Sequence, residues 1–464
     1  MNYFDKISKI DHALGKTLKQ EYPCLWPLLF DYVEHCLMYK ESNRTITEKN
    51  PLKADFHGTR NLYEPKFLAK TLFYGFLKPQ TEIPKESILI SFSLFHRFPR
   101  LSEKLIKNYK CVMMATKSNV NFAKKTPLTN YLKTDHLMYT PRVEKLLAKL
   151  LPQIRQHVIQ CTTLDRIGNS ALLRDLENEL TAIVSHLATV IKENNVTQYI
   201  CPYCCRYEEI LICLACKQLG IPSKEICHGV NSHKLINSDN VVPTHADFLY
   251  VWSQQFYDNI SLFEDQSRIK IFGYPKFDAS QIENFKKQYP VKKLITYLSQ
   301  PTYDVGKRTD EPMVKDYIEK EAAWRKDLIL NLNQLKVKYG YQIRIRYHQG
   351  EKVKSSDCDR TAERAQLAAL GFSISTGPLE QDLFESELCL GINSSTIFEA
   401  YVMGRNAFQV YFEPTGKDNY HNVVPVIEVR EIETKLQENQ KRFTSPKSEL
   451  LFDLQKFLAD EVKA

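Results

Sequence analysis

From residue 87 onward the chain is built of short apolar runs, each closed by a small polar cluster and followed by an amphipathic stretch. The runs at 87–93, 110–115, 198–201, 223–227, 248–252 and 268–272 read as buried strands, too short and too rich in aliphatic residues for surface helices. Between them, 99–108, 142–193 and 208–219 place apolar residues at helical spacing. A second series follows, with strands at 293–298, 342–347, 372–375, 387–390 and 407–411 and helices at 312–339, 361–370, 379–385 and 395–403. Such alternation predicts an α/β chain with two doubly wound, Rossmann-like parallel sheets. Residues 1–85 read as a helical extension of the first domain, 86–285 as that domain, 286–430 as the second domain and 431–464 as a helical tail. The lysine-rich stretch 283–293 predicts the linker. Two such domains are expected to face each other across a cleft, with ligands outside the strand carboxyl ends.

Most of the polar clusters follow predicted strands. Gly391-Ile392-Asn393-Ser394-Ser395-Thr396 leaves one strand and opens a helix, with hydroxyls where an N-cap belongs. Free N–H groups, the helix dipole and those hydroxyls make Ser394, Ser395 and Thr396 a candidate phosphate site. Glu399, one turn on, is a candidate acceptor from a ribose hydroxyl. Arg344, Arg346 and His348 alternate with Ile343, Ile345 and Tyr347 and so share one face of their strand. In a central parallel strand those three residues need partners, and a diphosphate, or a phosphate with a carboxylate, would supply them. Ser299 and Gln300 follow the first strand of the second domain and are candidates for the cleft floor. In the first domain, His228-Gly229 follows a strand, and His228 could take a proton from an acceptor hydroxyl near neutral pH. Glu209, in the first turn of a helix, is the alternative base; a dipole-complementing role fits it equally.

Composition narrows the field. Of 464 residues, 43% are hydrophobic and 25% charged, which excludes a disordered chain. No apolar run approaches the roughly eighteen residues of a bilayer span, and no secretion signal is visible, so the cytoplasm is the expected location. The net charge of +8 favours anionic partners. It is spread along the chain without an arginine-rich arm, so nucleic acid is not the expected partner. Cys201, Cys204, Cys213 and Cys216 have zinc-like internal spacing, but Cys213 and Cys216 fall inside a predicted helix, so buried reduced thiols are expected and no metal. Asp357-Cys358-Asp359 has the look of a metal-binding pair but precedes a helix without a preceding strand, and Asp359 reads as an N-cap.

His228-Gly229, Gly273-Tyr274-Pro275-Lys276-Phe277-Asp278, Arg346-x-His348-x-x-Glu351 and Ser394-Ser395-Thr396 with Glu399-Ala400 together resemble bacterial capsule- and lipopolysaccharide-type glycosyltransferases of the GT-B architecture. Within that group the chain resembles transferases of CMP-activated sialic acid, other nonulosonic acids or Kdo. It is similar also, at His228-Gly229 and Gly273-Tyr274-Pro275, to CDP-glycerol and CDP-ribitol polyol phosphotransferases. Gln349 stands where the CMP-sugar enzymes carry proline after the histidine, and no clean copy of their acidic base motif is present. The resemblance implies an acceptor domain at 86–285, a donor domain at 286–430, and inverting, metal-independent transfer with no cofactor beyond the CMP-sugar co-substrate. Ser394, Ser395, Thr396, His348 and Arg346 would hold the donor, with Ser299, Gln300 and Glu399 nearby and His228 or Glu209 as base. Expected partners are the donor, an oligosaccharide or polysaccharide acceptor, and peripheral contact with the inner membrane face or a capsule-assembly complex. A non-catalytic, glycan-binding GT-B scaffold is the remaining reading.

Overall fold

The computed structural model describes residues 20–29, 86–91, 94, 98–115, 131–133, 140, 142–143, 145–150, 153, 171–202, 207–227, 245–260, 266–299, 312–347, 361–392, 395–412, 423–439 and 450–459. Two compact units divide them. The first runs to Val251 and takes in Tyr257–Ile271; the second comprises Trp252–Phe256 and Phe272–Ala459.

The first unit is built on seven parallel strands: β1 (Ser87–Ile90), β2 (Cys111–Ala115), β3 (Tyr131–Lys133), β4 (Val196–Cys201), β5 (Ser223–Ile226), β6 (Phe248–Val251) and β7 (Ile269–Ile271). Their order is β3-β2-β1-β4-β5-β6-β7, so the chain winds one way from β1 and the other way from β4. Helices α1 (Pro99–Asn108), α2 (Ala171–Glu193) and α3 (Tyr207–Gln218) connect them. On α2, Leu173, Leu176, Leu180, Ile183, Leu187 and Ile191 recur at three- and four-residue intervals and are buried. Glu177 lies on that buried face and accepts hydrogen bonds from the backbone N–H groups of Cys24 (2.9 Å) and Leu25 (2.8 Å), so its carboxylate caps the helical turn at 25–29. After α2 the chain turns at Asn195, whose φ of 48° is left-handed, and Ser87 binds that turn through Oγ to the Asn194 carbonyl at 2.6 Å. β4 thereby starts beside β1.

The second unit carries six parallel strands: β8 (Lys292–Leu298), β9 (Gln342–Arg346), β10 (Ser373–Ile374), β11 (Ser386–Gly391), β12 (Ala407–Val410) and β13 (Val426–Ile427), in the order β10-β9-β8-β11-β12-β13. Its helices are α4 (Ala279–Gln288), α5 (Pro312–Tyr339), α6 (Thr361–Ala369), α7 (Leu379–Glu385), α8 (Ser395–Val402), α9 (Ile432–Asn439) and α10 (Leu454–Ala459). Ile295, Tyr297, Ile343, Ile345, Leu390 and Phe408 form the core of one sheet face with Leu328, Leu332 and Leu335 of α5. The strand periodicity of two sends Arg344 and Arg346 to the other face.

Two Rossmann-like doubly wound units in succession are the make-up expected of a GT-B chain. The linker expected at 283–293 is corrected: Ala279–Gln288 is a helix and β8 begins at Lys292. Its lysines hide a capping box, in which the Asp278 carboxylate accepts from Gln281 N (2.8 Å) and the Gln281 side chain accepts from Asp278 N (3.1 Å). The units divide earlier, between Ile271 and Phe272. The tail packs on the second unit, with the Phe457 ring 5.4 Å from that of Phe272. Most of the helical extension expected at 1–85 lies outside the described residues. Among the described residues, no helix is long and apolar enough to cross a membrane.

Candidate functional site

In each sheet the winding reverses once, and the crevice at that switch point is where open α/β sheets bind ligands. In the first unit the reversal lies between β1 and β4. Ser91 leaves the end of β1, and Glu209 stands in the first turn of α3, the helix after β4. The Ser91 hydroxyl donates to Glu209 Oε1 at 2.7 Å, and both residues are buried. The structure thus brings Glu209 to the switch point beside a hydroxyl that sequence reasoning overlooked. His228 lies outside the described residues.

In the second unit the reversal lies between β8 and β11. The register pairs Leu298 with Gly391 on one side and with Arg346 on the other. Three neighbouring strands therefore end at one level. Ser299-Gln300, Tyr347-His348 and Ile392-Asn393-Ser394 are the residues that continue from them. Gly391 admits α8 closely: a Cβ here would lie 3.3 Å from Ile397 Cβ. Ser395 opens α8, and Thr396, next in its first turn, is half-buried. Gln300, His348 and Ser394 lie outside the described residues.

Arg344 and Arg346 find carboxylates within the chain. Arg344 donates from Nη1 to Asp382 Oδ1 (3.0 Å) and from Nη2 to Glu385 Oε2 (2.9 Å), both on α7. Arg346 Nη1 donates to Asp382 Oδ2 (2.5 Å), Gly377 O (2.9 Å) and Ser375 Oγ (3.2 Å). Burial tends to push the Glu385 carboxyl up, but hydrogen bonds from Lys292, Gln381 and Arg344 hold it below its ordinary value. Arg346 is therefore largely neutralised, and the edge formed by Nε and Nη2, without a hydrogen-bond partner among the described residues, is what it offers an anion.

Glu399, on α8, is buried. Its Oε1 accepts from Tyr274 OH (2.6 Å) and Lys276 Nζ (2.9 Å), and its Oε2 from Lys276 Nζ (2.7 Å). The Gly273-Tyr274-Pro275-Lys276 segment is thus a clasp on the helix that follows Ser394, and it takes three of the roughly four acceptor positions of the Glu399 carboxylate. Trp252, Phe256, Tyr274 and Phe398 pack ring to ring around the clasp, at centroid distances of 4.5–5.6 Å. Gly273 is required on two counts: its φ is +79°, and a Cβ would lie 2.5 Å from the Leu451 carbonyl oxygen.

A second network went unread in the sequence. Arg325 of α5 is buried and donates side-on to Glu363 of α6, from Nε (2.8 Å) and Nη2 (2.5 Å). Its Nη1 reaches Ser299 Oγ (3.0 Å), and Tyr347 OH donates to Glu363 Oε1 (2.7 Å). A signal existed: Arg325 stands one turn before Leu328 and two before Leu332 on the apolar stripe of α5, where a charge must find a partner. Among the described residues no group of three or more His, Cys, Asp or Glu side chains is arranged to hold a metal ion. Cys201, Cys213 and Cys216 are buried, and none forms a disulfide among the described residues.

No protein-family profile matches the chain, and no curated protein matches it. Solved structures do. UDP-GlcNAc 2-epimerase from Neisseria meningitidis, bound to UDP-GlcNAc, is 12% identical over 79% of this chain and 94% of its own, with a TM-score of 0.44. MurG from Acinetobacter baumannii is 12% identical over 79% of this chain and 97% of its own, at 0.42. The wall teichoic acid polymerase TagF is 12% identical over 86% of this chain and 91% of its own, at 0.40.

Proposed function

We propose that the chain is an inverting, metal-independent glycosyltransferase that moves an acidic sugar, a nonulosonic acid or Kdo, from its CMP-activated donor to a surface-polysaccharide acceptor. The observation that carries this reading is the level ending of β9, β8 and β11 at the second switch point. The residues that continue from these strands include His348, Ser299 with Gln300, and the Ser394-Ser395-Thr396 run that leads into α8. Hydroxyls, a helix N-terminus and a partly neutralised arginine together suit a phosphate ester better than a free polyanion. The net charge of +8 suits an acidic donor sugar and acceptor.

In this reading Ser394, Ser395, Thr396 and His348 hold the donor phosphate, with the outer edge of Arg346 beside them. Glu209 or His228 takes the proton of the acceptor hydroxyl as its oxygen bonds to the anomeric carbon. The bond from that carbon to the phosphate oxygen breaks, and CMP leaves with the electron pair. Donors already in place stabilise the charge that grows on the leaving phosphate. The acceptor glycan and an inner-membrane or capsule-assembly surface are the partners, and the cytoplasm is the proposed location.

The test is nucleotide release from CMP-sialic acid, CMP-Kdo, CMP-pseudaminic acid, CDP-glycerol, and UDP- and GDP-sugars, with and without EDTA and with an oligosaccharide acceptor supplied. Release from one CMP-sugar, insensitive to EDTA and abolished by His348→Ala, is expected. Release from CDP-glycerol alone would make the protein a polyol phosphotransferase, and silence across the panel would make it a binding protein.

A further inference from the structure

We infer that Ser91 is the positioning residue of Glu209, and that the pair assigns the base of the proposed transfer to Glu209. This rests on the proposed function and chooses between the two bases named there.

Ser91 is held on both sides of its own main chain. Its N–H donates to the Ile200 carbonyl of β4 at 2.9 Å, and its carbonyl accepts from Leu94 N at 3.1 Å. The Leu94 carbonyl accepts in turn from Phe98 N at 2.7 Å, and the Leu94 and Phe98 side chains are buried. The hydroxyl therefore leaves from a fixed point at the end of β1, an interior strand of its sheet. Opposite it, α3 is seated by Ile210, Leu211 and Ile212, all buried, so Glu209 starts from a fixed point as well. Ser91 Oγ donates to Glu209 Oε1 at 2.7 Å, a length typical of a hydroxyl on a carboxylate. Ser91 is 5% exposed and Glu209 4%, so little water competes for that bond.

Neither the helix dipole nor stability accounts for this arrangement. Helix α3 opens with two acids, and Glu208, half-exposed, complements the dipole without the cost of burial. An apolar pair of the same shape would hold α3 against β1 about as well as a buried serine and glutamate. What it would not supply is a carboxylate of fixed direction at the reversal between β1 and β4, where an open sheet binds its ligand. A base works only within hydrogen-bond reach of the proton it removes, and a misplacement of about 1 Å costs on the order of a hundredfold in rate. Ser91 keeps its own proton throughout. Glu209 accepts the proton of the acceptor hydroxyl, and the serine aims it.

Ser91→Ala removes the hydroxyl and leaves Glu209 in place. A hydroxyl that donates to a carboxylate favours its charged form, so the acid limb of the kcat/KM profile is expected to move up by about one pH unit. Turnover on the plateau falls about tenfold, and the donor KM stays where it was. Loss of folded protein lowers the whole profile and moves no limb. Ser91→Thr keeps the donor and restores the limb; Ser91→Cys, a weaker donor of similar size, moves it part of the way. In a Glu209→Gln background Ser91→Ala adds nothing. The other buried ionisable groups on the elements packed against α3 are Glu177 of α2, Tyr199 and Cys201 of β4, and Lys224 and Glu225 of β5; all are common to every variant. A readout without turnover is the infrared carbonyl band of protonated Glu209, taken as wild type less Glu209→Gln through a pH titration. In Ser91→Ala that band is expected to appear about one pH unit higher. A band that does not move overturns the hold of Ser91 on Glu209, and a band that moves without the kinetic limb overturns Glu209 as the base. A band that moves in a protein that turns over no activated donor upholds the hold and overturns the proposed function.

Discussion

At the switch point of the first unit, between β1 and β4, Ser91 donates to Glu209, a carboxylate on the helix after the second strand. At the switch point of the second, between β8 and β11, Ser299 is held by Arg325, and the chain beyond β11 runs through serines into a helix N-terminus. The two reversals share their topology, with parallel strands diverging from a central pair. Their side chains differ. A buried carboxylate, Glu209, stands at the first, and guanidinium groups already paired with carboxylates, Arg325 and Arg346, stand at the second. Topology decides where a crevice lies, and the few residues after each strand decide what it can hold.

The strongest way to break this comparison is to remove the charge from the first crevice. Glu209→Gln keeps an oxygen to accept from Ser91, so folding and nucleotide binding are expected to persist. If Glu209 is the base, transfer falls about 10²–10⁴-fold. Unchanged turnover would leave the first crevice without a proton acceptor and move the base to His228. In the second unit, Glu363→Gln leaves Arg325 buried with Glu321, at 3.9 Å, as its nearest remaining carboxylate among the described residues. A loss of about 3–5 kcal/mol in urea unfolding is expected, confined to the second unit. Gly273→Ala forces an L side chain to a φ of +79° against the Leu451 carbonyl. The strain alone costs about 1–3 kcal/mol, and thermal unfolding of the second unit is expected to shift by more than that strain.

The smallest effect concerns pH. His245, in the first unit, has a buried Nε2 without a hydrogen-bond partner among the described residues. Burial lowers its pKa from 6.5 to about 4, opposed by the Glu225 carboxylate and reinforced by the Arg268 guanidinium. The unfolded chain therefore binds a proton that the folded unit refuses, so this contribution is full above pH 6.5 and is lost as pH falls toward 4. In the second unit the depressed Glu385 acts later, losing its contribution below its ordinary value of 4.5. Thermal unfolding of wild type at pH 7 and pH 5 is expected to show the first unit weakening ahead of the second. His245→Gln narrows that gap; an unaltered gap would remove the histidine from the account.

The strands were legible because a parallel strand buried on both faces is a continuous apolar run, as in Lys292–Leu298 and Ser386–Gly391. β3 and β13 escaped because strands of three and two residues contain no readable period; β7 and β10 are as short but lie inside the longer runs 268–272 and 372–375. The helix at Ala279–Gln288 escaped because lysines on its exposed side outweighed the single fully buried Ile282. At the candidate site, position was legible and partnership was not. Arg346 and Glu399 were visible as polar residues near strand ends, but Asp382 and Lys276, which hold them, are far from them in sequence. Pairings of that kind are set by the fold, and no local pattern announces them.

The contact between Gly273 and Leu451 has a consequence for the order of synthesis. Tyr274 N donates to the Leu450 carbonyl at 2.7 Å, and Tyr274 bridges to Leu451, so the clasp residues meet a stretch made long after them. A ribosome that has just finished β13 has released every strand of the second unit and still withholds this cover. Until Leu450 and Leu451 emerge, the Tyr274 amide has no carbonyl to meet. The second unit is therefore completed only after its last strand has been made, by residues that belong to none of its strands.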